Sequence, residues 1–174
     1  MTQAYQEDRI RFEFPDGWEV LRPEKASYYT RRFQSFAGGC KEMDFILFDP
    51  VNRVLWFLEV KDYTTNPRIK KQCVFEEIAE KIRDSLALLL AGSVREDPSN
   101  GGVRSFMDVC AIPNAIKIVL HLEQPLKPSK MFPGVKIEAD ATQKLRAKVK
   151  AVDPRARVSS TSSTDMEWRA IWSP

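Results

Sequence analysis

Three charged residues in the first half of the chain are spaced as a catalytic site would require. Fourteen residues separate Asp44 from Glu59, and Lys61 lies two positions further on. Two carboxylates held close together repel each other unless one is protonated or a cation lies between them. Mg²⁺ prefers oxygen ligands and keeps several waters, so such a pair suits it. A bound metal can activate water and stabilise charge on a phosphoryl oxygen, and a lysine can assist. The pattern predicts metal-assisted cleavage of a phosphodiester.

A β-hairpin is needed to bring these residues together. Met43–Phe48 and Val54–Val60 are short apolar runs of strand length, and residues 49–53, Asp-Pro-Val-Asn-Arg, have strong turn chemistry. Side chains alternate between the faces of a strand, so Glu59 and Lys61 share one face.

The pairing register of this hairpin decides whether a site exists. If Phe48 pairs with Leu55, Asp44 lies opposite Glu59, with Cβ atoms about 4.5–5.5 Å apart. The same register places Glu42 beside Lys61. A slip of one residue would put Asp44 and Glu59 on opposite faces. In the productive register, the Val60 carbonyl is available as a further oxygen ligand.

The rest of the chain alternates strand-like and helix-like segments. Apolar residues recur at helical spacing from Phe75 to Ala91, and Gly92 is suited to end that helix. The other predicted elements are strands at 10–14, 18–21, 115–122 and 166–172 and a helix at 140–150. This order predicts an α/β domain with a central mixed sheet flanked by helices.

The spacing Asp44-x14-Glu59-Val60-Lys61 resembles the PD-(D/E)xK nuclease superfamily, which has the restriction endonuclease-like fold. The resemblance covers about residues 10–122 and implies an αβββαβ core. Residues 123–174 would form a basic C-terminal extension with a helix and the last strand, all within a single domain spanning 1–174. Met43 stands where the name-giving proline would be.

The resemblance also implies roles for individual residues. Asp44, Glu59 and Lys61 would be catalytic, and Asp44, Glu59 and the Val60 carbonyl would hold Mg²⁺, for which Mn²⁺ can substitute. The superfamily often adds an acidic residue from its first helix, for which the candidates here are Glu13, Glu19 and Glu24. Neighbouring polar groups that could support the site are Glu42, Lys81 and Asp84, the last two being open to interpretation as a solvated helix face.

The partner predicted from the basic residues is nucleic acid, with DNA favoured. Residues 127–157 contain nine basic and three acidic side chains, an excess that fits a phosphate-binding surface. An ordinary solvated helix face explains the excess equally well. The candidate contact residues are Arg31, Arg32, Lys144 and Lys148. Cutting both strands of a duplex would favour a homodimer with paired sites.

Composition excludes several other classes of function. His121 is the one histidine, which rules out zinc fingers and His-rich metal centres, and it is expected in a strand, facing a partner or solvent. The three cysteines form no CxxC pair. There is no signal-like N-terminus and no apolar run long enough to span a bilayer, so a cytoplasmic protein without a membrane partner is expected.

Two other functions compete with a nuclease. The same fold could serve as a non-catalytic module that binds nucleic acid or a protein, since the net charge is +3 and no separate recognition domain is evident. A small accessory or immunity protein is a third interpretation, in which Glu59 and Lys61 form a plain ion pair.

Overall fold

The structure is a computed structural model that describes residues 2–65, 72–110, 112–124 and 137–173. Its strands are β1 (Gln3–Glu7), β2 (Ile10–Phe14), β3 (Glu19–Leu21), β4 (Phe45–Asp49), β5 (Val54–Asp62), β6 (Ala115–Glu123), β7 (Arg157–Ser159) and β8 (Arg169–Trp172). Its α-helices are α1 (Val74–Val94), α2 (Gly101–Cys110) and α3 (Ile137–Val149). Short helical turns cover 23–25, 29–33, 36–38 and 98–100.

Five strands form a mixed sheet in the order β3-β4-β5-β6-β7. The pairs β3–β4 and β4–β5 are antiparallel, whereas β5–β6 and β6–β7 are parallel. The crossover from β5 to β6 contains α1 and α2, as a parallel connection requires. The protein is therefore α/β with a mixed sheet, as predicted.

The two faces of this sheet are covered differently. Ile46, Phe57 and Leu120 pack with buried residues of all three helices, such as Ile78 and Leu145. The opposite face packs against a second, three-stranded antiparallel sheet in the order β1-β2-β8. The prediction of a sheet flanked by helices thus holds for one face, and a layer of strands takes the other.

The tight turn between β4 and β5 follows from its residue types. The Asp49 carboxylate accepts hydrogen bonds from the backbone N–H groups of Val51 and Asn52, at 3.0 and 3.2 Å, and from the Asn52 side chain at 2.7 Å. Arg53 has a left-handed φ of 53°. An Asp that bonds the backbone ahead of it fixes the turn, and a fixed turn fixes the register of both strands.

Several elements differ from the prediction. Strands β1 and β7 were not predicted, and the final strand begins at Arg169 rather than Met166. This strand pairs with β2 in the small sheet, and β7 pairs with β6 in the main sheet. Within the described residues, no helix is long and apolar enough to cross a membrane.

Candidate functional site

The sequence left the hairpin register open, and the observed register is the one that the site requires. Phe48 pairs with Leu55, and the ladder continues to Phe45 opposite Leu58. Asp44, the next residue, turns its carboxylate toward β5, and its Oδ2 accepts a hydrogen bond from the Val60 N–H at 2.7 Å. Asp44 is therefore fixed beside the end of the strand that carries Glu59.

Two lysines form ion pairs with the Asp44 and Glu59 carboxylates. The Lys61 and Lys81 ammonium groups each lie 2.5 Å from Glu59 Oε1, and Lys81 is also 3.5 Å from Asp44 Oδ1. Lys81 comes from α1, which packs on this face of the sheet. The side chains of Asp44 and Lys61 are each 19% exposed, so the cluster opens to solvent on one side.

Glu59 is the member of the cluster whose charge is most disfavoured by burial. Its side chain is fully buried, and this desolvation raises the pKa of Glu59, with a further rise caused by the Asp44 charge. Lys81 and Lys61 oppose the rise in that pKa. For Lys61, burial alone would lower the pKa, but the charge and hydrogen bond of Glu59 and the charge of Asp44 outweigh it, so the pKa is raised.

The oxygen atoms at this end of β5 fit a hard divalent cation. Glu59 Oε2 is buried and has no hydrogen-bond partner among the described residues, although buried polar atoms are nearly always paired. The N–H and C=O of one strand residue leave the same edge, so the Val60 carbonyl faces the side of Asp44. Mg²⁺ is commonly bound through one or two carboxylates plus waters. Within the described residues, no group of three or more His, Cys, Asp or Glu side chains is placed to hold a metal ion.

Among the predicted supporting residues, Lys81 reaches the site and two others do not. The Glu42 carboxylate accepts a hydrogen bond from the Tyr29 hydroxyl, and no ion pair joins it to Lys61 among the described residues. Asp84 is buried and accepts from the Lys41 N–H at 3.0 Å. Asp84 therefore anchors the segment before β4, and the described strand pairing does not extend to Glu42 and Lys61.

None of the four predicted nucleic-acid contact residues forms an ion pair with the cluster among the described residues. Arg31 is exposed, and Arg32 forms an ion pair with Asp97 at 3.1 Å. On α3, Lys144 pairs with Asp140 at 2.6 Å and Lys148 pairs with Glu76 of α1 at 2.9 Å. Of the nine basic residues counted in the C-terminal third, Lys127, Lys130 and Lys136 lie outside the described residues.

None of the three predicted N-terminal acids contacts the cluster among the described residues. Glu13 lies near Arg11 and Arg169, Glu24 lies near Arg22 and Lys25, and Glu19 pairs with Phe48 at the far end of β4.

Two other acids lie closer, and sequence reasoning missed both. Burial raises the pKa of Glu7 in β1 to about 7, with Asp44 the next largest cause. Glu77 of α1 is buried, and its charge contributes to the raised pKa of Lys61. Glu77 precedes Lys81 by four residues, and this spacing places two helical side chains on one face.

A second polar group lies at the same end of the main sheet, on the face opposite to the cluster. His121 is buried rather than exposed, so the prediction that it faces a partner or solvent is wrong. Its Nε2 lies 3.1 Å from Glu123 Oε1, and its Nδ1 lies 3.4 Å from Ser159 Oγ. The N-terminal sheet covers this face, and Phe12 packs edge-on against the imidazole.

Comparison with known proteins gives one partial similarity. The chain is 27% identical over 159 residues to a cysteine–tRNA ligase of Neisseria meningitidis, serogroup A. The match covers 74% of the chain and 22% of the ligase, so the chain spans about a fifth of that relative. No family model matches the chain, and no solved structure matches it.

Proposed function

We propose that this protein is a Mg²⁺-dependent nuclease with a restriction endonuclease-like core, and that it hydrolyses phosphodiester bonds, with DNA the favoured substrate. The observation that carries the proposal is the meeting of Asp44, Glu59 and Lys61 at one open end of the main sheet, in the register that the chemistry needs. The antiparallel strands β3, β4 and β5, followed by α1 and the parallel strand β6, are consistent with that core.

Each residue of the cluster has a role that its position supports. Asp44 and Glu59, with the Val60 carbonyl, would hold Mg²⁺ or Mn²⁺. The ion, when bound, supplies a water of lowered pKa and charge stabilisation at the phosphoryl oxygens. Lys61 is kept cationic by its carboxylate neighbours, so its ammonium can orient a water or offset charge on the phosphate. Lys81 bridges the two carboxylates, since its ammonium lies 2.5 Å from Glu59 and 3.5 Å from Asp44.

The direct experiment is a cleavage assay in Mg²⁺ that compares the wild type with Lys61→Ala. Supercoiled plasmid, single-stranded DNA and folded RNA should each be offered. A tRNA belongs in the set because the similar protein of Neisseria meningitidis is named as a tRNA ligase. We expect cleavage of at least one substrate by the wild type and a loss of about a hundredfold or more in Lys61→Ala, the usual effect of removing one charge-stabilising donor.

Lys25→Ala is the matched control, because this lysine is 70% exposed and lies outside the cluster. Its rate should equal that of the wild type. No cleavage of any DNA or RNA form, together with no heat of Mg²⁺ binding in calorimetry, would contradict the proposal.

A non-catalytic nucleic-acid-binding module on the same fold is the second candidate. The observation that favours it is the charge balance of the cluster, because Lys61 and Lys81 already neutralise Asp44 and Glu59. This candidate predicts salt-dependent DNA binding that is unchanged in Asp44→Ala and Lys61→Ala. It also predicts no cleavage in Mg²⁺ or in Mn²⁺.

A further inference from the structure

A cavity of about 760 Å³ lies at the end of the main sheet opposite the cluster. It is lined by Trp56, by the first residues of β6, by Arg146 of α3 and by the turn that leads into β7. Its volume falls in the range of small-ligand sites. Trp56 precedes Glu59 by three residues, which is roughly 10 Å along a strand and places the two side chains on opposite faces. The cavity is therefore separate from the proposed cleavage site.

The lining of this cavity is cationic. It contains four basic residues, Lys117, Arg146, Arg155 and Arg157, against two carboxylates, Asp153 and Glu167. Asp153 is buried, and both of its oxygens are used internally, by the Ile118 N–H at 2.8 Å and the Arg155 N–H at 2.8 Å.

Internal contacts leave part of this charge for a ligand. Glu167 lies 2.9 Å from Arg157 and 3.6 Å from Lys117, and Arg157 also lies 3.6 Å from the Asp165 carboxylate, so these two cations are balanced by two carboxylates. Arg146 uses its Nε to bond the Ala156 carbonyl at 2.9 Å. Within the described residues, the Arg155 guanidinium forms no ion pair, and its side chain is exposed at the rim. The cavity thus presents an excess of guanidinium donors.

A buried donor lies in the same wall. Trp56 is 1% exposed, and its indole Nε1–H has no hydrogen-bond partner among the described residues. Lys117 Nζ lies 4.4 Å from the centre of the Trp56 ring, and the Arg157 guanidinium lies 5.7 Å from it. These cation–π contacts hold two positive groups over the indole, where they face the cavity.

We infer that this cavity binds a phosphate group, carried either by a small phosphorylated ligand such as a nucleotide or by a nucleic-acid backbone. Guanidinium groups pair with phosphate through two parallel hydrogen bonds, and arginine supplies most of the charge here. A neutral or cationic ligand would leave the excess positive charge uncompensated.

The test uses the indole N–H resonances of ¹⁵N-labelled full-length protein, without divalent cations so that no cleavage occurs. Inorganic phosphate, AMP and a single-stranded hexathymidylate are titrated separately, and the Trp56 signal is assigned from Trp56→Phe. We expect that signal to move saturably with at least one probe. The signal of Trp172, which lies elsewhere and is 42% exposed, should stay in place.

Two variants and one control decide the outcome. Arg155→Gln removes an unpaired rim charge without loss of an internal contact, and Lys117→Gln removes the cation nearest the indole. Each should weaken the saturable binding about tenfold, whereas Lys25→Gln, at a 70% exposed lysine that does not line the cavity, should not. Equal affinity for phosphate and AMP identifies a small ligand, and tighter, salt-dependent binding of the hexathymidylate identifies a backbone. No saturable shift with any probe, or a shift unchanged in both variants, overturns the inference.

Discussion

Glu59 and Glu123 are two buried glutamates at the same end of the main sheet, and they are in opposite electrostatic situations. Glu59 lies on the helical face, with one unpaired oxygen and a pKa raised by burial. Glu123 lies on the face covered by strands. Burial alone would raise its pKa too, but hydrogen bonds from His121 and Thr161 outweigh it and lower that pKa.

This difference is the reason for proposing a catalytic role for Glu59 and a structural role for Glu123. The Glu123 carboxylate gains enough hydrogen bonds to stay ionised in the interior, so it stabilises the packing of β6 against β7 and the following loop. Glu59 is left with a cost that a bound cation would relieve. Natural proteins keep such unsatisfied groups mainly where function requires them, which is why the proposed function is assigned to the helical face.

The largest expected effect is that of Asp44→Asn. The amide oxygen can still accept from the Val60 N–H, so the hairpin end should keep its shape while the charge is lost. We expect Mg²⁺ affinity to fall at least tenfold in calorimetry and cleavage to fall about a hundredfold. Unchanged affinity and rate would show that the cation, if one binds, lies elsewhere.

On the other face of the sheet, a large effect on stability is expected in place of an effect on cleavage. Glu123→Ala removes the acceptor for His121 and for the Thr161 N–H, and buried groups without partners cost about 1–3 kcal/mol each. The free energy of unfolding in urea should fall by about 2 kcal/mol or more. The cleavage rate of the folded variant should equal that of the wild type. A loss of cleavage without a loss of stability would reverse the roles assigned to the two glutamates.

A smaller, pH-dependent effect is expected at Glu7. Burial first, and then the Asp44 charge, raise the pKa of Glu7 from 4.5 to about 7, with Arg22 opposing. A carboxyl whose pKa is higher in the folded state binds its proton more tightly there. Its contribution to the free energy of unfolding therefore falls as the pH rises from 4.5 to 7.

Glu7→Gln removes this titration. The variant should gain stability relative to the wild type between pH 4.5 and 7 and show a constant difference above about pH 8, as measured by urea unfolding across that range. A difference that does not vary with pH would mean that Glu7 has an ordinary pKa and is not coupled to Asp44.

The hairpin could be predicted because its information is local. The Asp49 turn fixes the register, and register alone brings Asp44 next to the strand end that carries Glu59. The mixed sheet and α1 followed from apolar periodicity, which is strong for long elements. The hairpin was therefore predictable from the sequence, and the meeting of Asp44 and Glu59 was predictable only on the condition of one register.

The surroundings depend on tertiary contacts that the sequence pattern does not carry. Strand β1 is half exposed and polar, so it lacks the apolar alternation that marks a buried strand. Its sheet nevertheless covers the face on which His121 lies, and this turns a histidine expected at the surface into a buried one. Glu7 could not be placed near Asp44 for the same reason.

The most direct measurement is the Mg²⁺-dependent cleavage rate of Glu59→Gln beside that of Glu123→Gln, with the substrate that the wild type cuts fastest. Both changes replace a buried carboxylate by an amide of the same shape at the same end of the sheet. We expect Glu59→Gln to lose cleavage by about a hundredfold or more, whereas Glu123→Gln should keep the wild-type rate at a temperature where it is folded. Equal rates in the two variants would contradict the proposed function.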